Sequence, residues 1–147
     1  QLVFTPHQKE WEKLSGLDLA SQTEEKSQRA VQNFREGTVI VEKGPHTRIW
    51  TSGQDVGYQL DVGGPYQATG GMGDTLAGMI TGFAGQFPQV SLYERVVVAT
   101  YLHSAIAEDL SKEAYVVLPT TISKEIPKWM KKWSDNLNEN VENETFS

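Results

Sequence analysis

The sequence contains no cysteine, which excludes disulfide bonds, thiolate metal sites and cysteine nucleophiles. It has no apolar run near the roughly 18 residues of a membrane span. It also lacks the basic and then apolar segments of a signal peptide. Its formal net charge is −6, and no cluster of Lys and Arg offsets that acidity, which disfavours nucleic-acid binding. These absences fit a cytoplasmic protein that binds neither membranes nor nucleic acids.

Two widespread nucleotide-binding loops are absent as well. No Gly-Lys-Ser/Thr follows the glycine-rich stretch of this sequence, so it has no Walker A loop. The Gly-x-Gly-x-x-Gly spacing of dinucleotide-binding domains does not occur either. These two nucleotide-binding folds are therefore disfavoured.

The 147 residues are 38% hydrophobic and 22% charged, which is typical of one compact globular domain. Residues 1–134 are predicted to form the folded part, and the polar residues 135–147 a disordered tail. Because the chain begins with Gln1 and its first methionine is Met72, we expect that further chain lay upstream. Strands are predicted at residues 1–4, 38–41, 46–51, 58–62 and 115–118. Two early helices are predicted to begin at Thr5-Pro6 and at a Ser21–Glu24 capping box. Later helices are predicted at 74–86, at 91–112 and around 126–133. This order predicts an α/β layered fold in which helices cover a sheet.

The strongest functional signal is the stretch ATGGMGDTLAG at residues 68–78. Its first three glycines, Gly70, Gly71 and Gly73, allow a sharp turn and a close backbone approach to a ligand. A helix beginning at Asp74 would offer free N–H groups and a positive dipole end to an anion such as phosphate. Asp74 would repel that anion, so its presence needs a reason. A role as general base would explain why an aspartate stands there. The alternative, that Asp74 merely caps the helix, is equally consistent with the sequence.

Two weaker signals accompany the glycine-rich stretch. Lys43 follows a predicted strand, where a lysine can reach phosphate oxygens, although Lys-Gly-Pro alone is more often a simple turn. His7, near Glu10 in a first helical turn, could touch a ligand or merely begin the helix. His103 lies alone in a long helix and is predicted to be packed rather than catalytic. Each glycine within the helix at 74–86 costs about 1 kcal/mol relative to alanine. We expect close packing against a neighbouring element to be the reason that glycines stand there.

Taken in order, the segments TPHQKE (5–10), KGPHT (43–47), the 68–78 stretch and the pair Leu102-His103 resemble the NAD(P)H-hydrate dehydratase family. This family is the C-terminal domain of YjeF-type repair proteins, within the ribokinase-like superfamily. The Gly-Asp motif is shared across the superfamily, whereas the other two boxes are more specific to the dehydratases. The resemblance implies a ribokinase-like layered fold with a central, mostly parallel sheet flanked by helices.

The resemblance also implies an activity. Such enzymes use ADP or ATP to dehydrate the S-form of hydrated NADH or NADPH, by phosphorylating the hydroxyl and eliminating phosphate. By similarity, Asp74 would be the base and contact the substrate, and His7 would contact the hydrated nicotinamide. Mg²⁺ would accompany the nucleotide. The implied nucleotide-binding residues are Lys43, Gly44, Pro45, His46, Thr47, Gly70, Gly71 and Gly73.

Family domains are roughly twice as long as this chain. The resemblance therefore predicts that the N-terminal half of the fold, with early strands and part of the substrate pocket, is missing here and is needed. Because relatives often assemble, a homo-oligomer is also expected. Two other functions stay open. One is a superfamily kinase of a sugar or vitamin-precursor alcohol, and the other is a catalytically silent nucleotide-binding module.

Overall fold

The structure, a computed structural model, describes residues 1–61, 71–113 and 117–145. In this part of the chain, no helix combines the length and the apolar character needed to cross a membrane. A short 3₁₀ turn occupies Leu19–Ser21. The other elements, in chain order, are β1 (Val3–Phe4), α1 (Gln8–Ser15), α2 (Glu24–Val31), β2 (Val39–Glu42), β3 (Arg48–Thr51), β4 (Gly57–Gln59), α3 (Met72–Ala84), α4 (Leu92–Ser111) and α5 (Pro119–Thr145).

The four strands form one sheet in the order β1-β2-β3-β4. β1 runs parallel to β2, whereas the β2–β3 and β3–β4 pairs are antiparallel. The α/β layered class is therefore confirmed, but the sheet in the described residues is mixed rather than mostly parallel. The physical reason is that short loops join β2 to β3 and β3 to β4, and a short loop can only join antiparallel neighbours.

Alternation along β2 and β3 sends side chains to both faces of the sheet. Ile40 lies opposite Trp50 in the antiparallel register, and both pack with Trp11 of α1 and Val31 of α2. On the other face, β2 and β3 contribute to a core with α3 and α4, formed by Val39, Val41, Ile49, Leu76, Ile80, Leu92, Val96 and Ala99. A further cluster joins α3, α4 and α5. Helices thus cover both faces, as the sequence predicts.

Two helix starts differ from the sequence prediction. α1 is capped by His7, whose Nδ1 accepts from the Glu10 N–H at 3.2 Å, rather than by Thr5. The chain before it stays with the sheet, because the Pro6 carbonyl accepts from the Lys43 N–H at 2.9 Å. α2 is capped by Thr23 rather than by Ser21, which ends the 3₁₀ turn. The Ser91–Glu94 capping box of α4 is confirmed.

The C-terminal region also differs from the prediction. Val117 and Leu118 are not in a strand, and residues 115 and 116 of the predicted strand lie outside the described residues. α5 begins at Pro119, well before residue 126, and runs to Thr145. It therefore enters the 135–147 segment for which composition predicts disorder. The assignment of 1–134 as the folded domain stays a prediction.

His103 is packed as the sequence predicts, with only 4% of its surface exposed. Its Nε2 has no hydrogen-bond partner among the described residues. Burial lowers the pKa of His103 to about 4 from its ordinary 6.5. The unfolded chain therefore binds a proton more readily than the folded chain does, so stability is complete above about pH 6.5 and falls as the pH drops toward 4.

We expect the free energy of unfolding to fall by about 2 kcal/mol between pH 7.5 and pH 5 because of His103 alone. Urea unfolding at both pH values measures this. In His103→Gln the pH-dependent part is expected to disappear, whereas His46→Gln, a change at an exposed position, keeps it. An equal pH dependence in His103→Gln and the wild type would contradict the assignment.

Candidate active site

The loop between β2 and β3, residues 43–47, carries five of the predicted nucleotide-binding residues. It begins where β2 ends, and its first residue is tied to the chain before α1 by the bond from the Lys43 N–H to the Pro6 carbonyl. Gly44 lies against α1, since a Cβ placed on it would be 3.5 Å from Gln8 Nε2. The first and second of the family-like segments are therefore in contact. We call residues 43–47 the hairpin loop.

The glycine-rich stretch ends at the start of α3, which begins at Met72 rather than at Asp74. Gly71 is the N-cap residue, with φ of +86°, and among the described residues no side chain caps the helix. A left-handed conformation at this position suits glycine. Gly71 also approaches α5 closely, because a Cβ on it would lie 3.2 Å from Pro119 Cγ. Gly70 lies outside the described residues.

The hairpin loop and the start of α3 meet at Lys43. A Cβ on Gly73 would lie 3.6 Å from Lys43 Nζ, so the ammonium group sits beside the first turn of α3. Lys43 is half-buried and forms no salt bridge with another described residue. A helix N-terminus carries partial positive charge and free N–H groups. The two positive features therefore create a place where an anion is favourable.

α1 adds a third group to this neighbourhood. The His7 N–H donates to Glu10 Oε2 at 2.8 Å, and this bond is the main reason that the pKa of Glu10 lies below its ordinary value. The charges of His7 and Lys43 lower it further. The His7 imidazole is used as a cap through Nδ1 and leaves over half of the side chain exposed. Its predicted contact with a substrate stays a prediction.

Asp74 lies in the first turn of α3 and is exposed. Gly71 rather than Asp74 occupies the N-cap position, so the interpretation of Asp74 as the N-cap residue is not supported. Asp74 lines a groove of about 560 Å³ between α3 and α5, whose other lining residues include Thr75, Gly78 and Ser123. The carboxylate of Asp74 is therefore available for chemistry at the same helix end that Lys43 approaches.

The predicted residues do not all line one cavity. Lys43, Gly44, Pro45 and His46 line a separate cleft of about 280 Å³. Asp74 and the hairpin loop are joined by the start of α3, rather than by one enclosed pocket among the described residues. In the described parts of the chain, no group of three or more His, Asp or Glu is placed to hold a metal ion.

Sequence reasoning missed Glu42 and Arg48, which flank the hairpin loop. They form a mostly buried ion pair at 2.6 Å and also line the smaller cleft. Opposite charges at the two ends of the predicted hairpin are the signal that could have indicated this ion pair, because residues at the base of a hairpin face each other.

Glycines on α3 provide a matched test of what Gly71 does. The predicted close packing at Gly78 is not found, because no described atom lies within 4 Å of a Cβ placed there. We expect Gly71→Ala to lower the free energy of unfolding by about 1–2 kcal/mol, because of its left-handed backbone. Gly78→Ala should raise it by about 0.5–1 kcal/mol. Chemical denaturation of both variants measures this, and equal stabilities would contradict the packing described for Gly71.

Comparison with known proteins finds one matching family model and several similar enzymes. The family model described as NAD(P)H-hydrate dehydratase matches residues 1–128. The ADP-dependent (S)-NAD(P)H-hydrate dehydratase of Streptococcus pneumoniae is 67% identical over 131 residues, which are 89% of this chain and 45% of that protein. The Staphylococcus aureus protein of the same name is 49% identical over 131 residues, with 89% and 45% covered. The chain thus spans about half the length of the curated relatives it matches.

Solved structures agree in fold. A ribokinase-like superfamily protein from Enterococcus faecalis matches with a TM-score of 0.81 and 47% identity, over 89% of this chain and 44% of that one. The ADP/ATP-dependent NAD(P)H-hydrate dehydratase from Bacillus subtilis, co-crystallised with ATP and Mg²⁺, matches with a TM-score of 0.75 and 30% identity, over 88% and 47%. The family match covers most of the chain and includes each of the three segments brought together around Lys43 and α3. This chain therefore belongs to the NAD(P)H-hydrate dehydratase family.

Proposed function

We propose that this chain is the nucleotide-binding and catalytic part of an enzyme that uses ADP or ATP to dehydrate the S-form of NADH or NADPH hydrate. The single observation that carries the proposal is the position of the Lys43 ammonium beside the first turn of α3. A cation beside a helix N-terminus is unfavourable on its own. The arrangement becomes favourable when a polyanion such as a nucleotide phosphate chain lies between them.

The proposed nucleotide contacts are divided between two backbone elements. Lys43 would neutralise phosphate charge, and Gly73, with the neighbouring Gly70 and Gly71, would offer amides or close approach to the phosphates. The remaining proposed contacts come from the hairpin loop, whose other residues are Gly44, Pro45, His46 and Thr47. Gly44, Pro45 and His46 are exposed, which leaves this surface accessible to a nucleotide.

Asp74 is the proposed general base. Its carboxylate, in the first turn of α3, would take the proton from the hydroxyl of the hydrate. The freed oxygen would then attack the terminal phosphorus of the nucleotide, whose bond to the bridging oxygen breaks and releases AMP from ADP or ADP from ATP. The carbon–oxygen bond would break as phosphate departs with both bonding electrons, and the adjacent ring carbon would lose a proton to solvent. The product gains the ring double bond that the hydrate lacks. His7, on the exposed start of α1, is the proposed contact for the nicotinamide part of the substrate.

Mg²⁺ is proposed to accompany the nucleotide, as its chemistry with phosphates suggests. Asp74 places one carboxylate in the first turn of α3, which fits an ion held largely by phosphates and water. When bound, such an ion neutralises charge on the phosphate chain.

The remaining proposals concern the whole protein. We infer a homo-oligomer located in the cytoplasm, and a requirement for the N-terminal half that the curated relatives possess. That half would complete the sheet beyond β1 and close the substrate pocket around Asp74.

A two-part experiment tests the function. Titration calorimetry of this chain with ADP and Mg²⁺ measures nucleotide binding. The chain is then incubated with hydrated NADH and ADP, alone and with the N-terminal portion of the Streptococcus pneumoniae relative added as a separate chain. In the incubation that contains the N-terminal portion, we expect the absorbance of reduced nicotinamide to return as the hydrate is converted to NADH. Binding without recovery in the completed enzyme would favour the silent module, and a stable phosphorylated alcohol as product would favour the kinase.

A further inference from the structure

We propose that the buried Glu42–Arg48 ion pair is a positioning device that holds the hairpin loop in its nucleotide-binding conformation. The proposal rests on the function proposed above, because it assigns a purpose to the geometry of that loop. Neither residue is proposed to touch the nucleotide. Both would act through the five residues that lie between them.

The pair sits at the base of the loop. Glu42 is the last residue of β2, Arg48 is the first residue of β3, and the two are directly paired in the antiparallel register. An Arg48 guanidinium nitrogen lies 2.6 Å from Glu42 Oε1, and only 15% and 5% of the two side chains are exposed. The ion pair therefore ties together the two points where the loop leaves the sheet.

Further bonds fix the direction of each side chain. Glu42 also accepts from Trp50 Nε1 at 3.1 Å and from Ser27 Oγ at 3.3 Å. Arg48 donates to the Gln22 carbonyl at 2.8 Å and lies 5.9 Å from the centre of the Trp50 ring. The network reaches α1 through the bond from Trp11 Nε1 to Ser27 Oγ at 3.1 Å. The loop base is thus connected to the 3₁₀ turn and to both helices on that face of the sheet.

Energetics argue for positioning rather than for stability alone. Taking two charges out of water has a desolvation cost that often cancels their attraction, so an apolar pair of similar volume would stabilise the protein as well or better. What an apolar pair does not supply is a set of directional bonds. Here those bonds hold the residues next to Lys43 and Thr47, the two ends of the loop, so the position of Lys43 beside Gly73 depends on them.

An exposed ion pair elsewhere in the chain provides a control. Glu25 and Arg29 on α2 form an ion pair with 74% and 76% of their side chains exposed. Pairs of this kind contribute little. Breaking the Glu25–Arg29 pair removes an ion pair of the same residue types and leaves the hairpin loop unchanged.

The experiment uses the full chain and three variants, Arg48→Met, Arg48→Lys and Glu42→Gln, with Arg29→Met as the control. ADP affinity is measured by calorimetry at a temperature where melting curves show each variant folded. Amide hydrogen exchange is followed at residues 43–47. For Arg48→Met and Glu42→Gln we expect a roughly tenfold weaker Kd for ADP and faster exchange in the loop. Lysine keeps the charge but not the planar fork of donors, so Arg48→Lys should recover only part of the affinity.

A purely structural role would lower the melting temperature while the folded variants kept wild-type ADP affinity and loop exchange, and this result would overturn the proposal. If Arg48→Met does not fold, the ADP affinity and the loop exchange of Arg48→Lys and Glu42→Gln test the proposal instead. If the wild-type chain does not bind ADP, the proposed function fails, and the exchange data still decide about the pair. Faster exchange confined to the loop then supports positioning, and unchanged exchange contradicts it.

Discussion

Replacing Asp74 with asparagine is expected to lower the turnover of hydrated NADH by about 10²–10⁴-fold, the range for loss of a general base. Asparagine has nearly the same shape but cannot accept the hydroxyl proton at neutral pH. Asp74 lies in the first turn of α3 and is not its N-cap residue, so the change leaves the N-cap residue, Gly71, in place. The substitution should therefore affect the chemical step far more than the fold.

This expectation is checked by single-turnover kinetics in the enzyme completed with the N-terminal portion of a relative. ADP affinity and melting temperature are measured beside it and are expected to stay close to wild type. Asp109→Asn is the matched control, since Asp109 is an exposed aspartate of α4 paired with Lys112, and it should keep full turnover. Wild-type turnover in Asp74→Asn would show that another group takes the proton.

Replacing Lys43 with methionine is expected to weaken ADP binding by between about 10-fold and 100-fold. A hydrogen bond to a charged group contributes about 1.5–3 kcal/mol, and each 1.4 kcal/mol is a factor of ten in Kd. Methionine keeps the apolar stem that makes Lys43 half-buried. Removing the ammonium also removes a cation from the positive end of α3, so the nucleotide-free chain should be as stable as wild type or slightly more stable.

Calorimetric titration with ADP and thermal melting without it separate the two effects. Lys112→Met, on the exposed end of α4, controls for the loss of one positive charge and should leave the Kd unchanged. A loss of affinity accompanied by an equal loss of stability would mean that Lys43 supports the fold rather than the nucleotide. Unchanged affinity would remove the observation on which the proposed function depends.

Some of the site could be predicted from local patterns because its parts are local. A glycine-rich turn before an apolar helix, a lysine after a buried strand and a histidine before a short helix are each visible within a few residues. The capping box of α4 was predictable for the same reason, since its bonds span three residues. By contrast, the caps of α1 and α2 were predicted at the wrong residues. Several Ser, Thr, Asp and His side chains near each helix start could act as the N-cap residue. Tertiary hydrogen bonds, such as that from the Lys43 N–H to the Pro6 carbonyl, determine which of them does.

The Glu42–Arg48 pair shows a different limit of sequence reasoning. Either residue alone reads as a charged position near a turn, and charged residues are mostly exposed. Their burial follows from the antiparallel register and from the bonds to Trp50 and Ser27. Ser27 lies 15 residues before Glu42 in the chain, a separation at which no periodicity indicates a contact.

By itself, the amino-acid sequence determined the layered α/β class, the family resemblance and the three short segments on which a phosphate site depends. These features follow from residue types at short spacing, where backbone geometry limits the outcomes. Only the tertiary structure decided that Lys43 lies beside Gly73, that Gly71 is the N-cap residue of α3, and that a buried ion pair closes the hairpin loop. Each depends on packing between elements distant in sequence, because the free energy of burial is set by all the neighbours of a residue together.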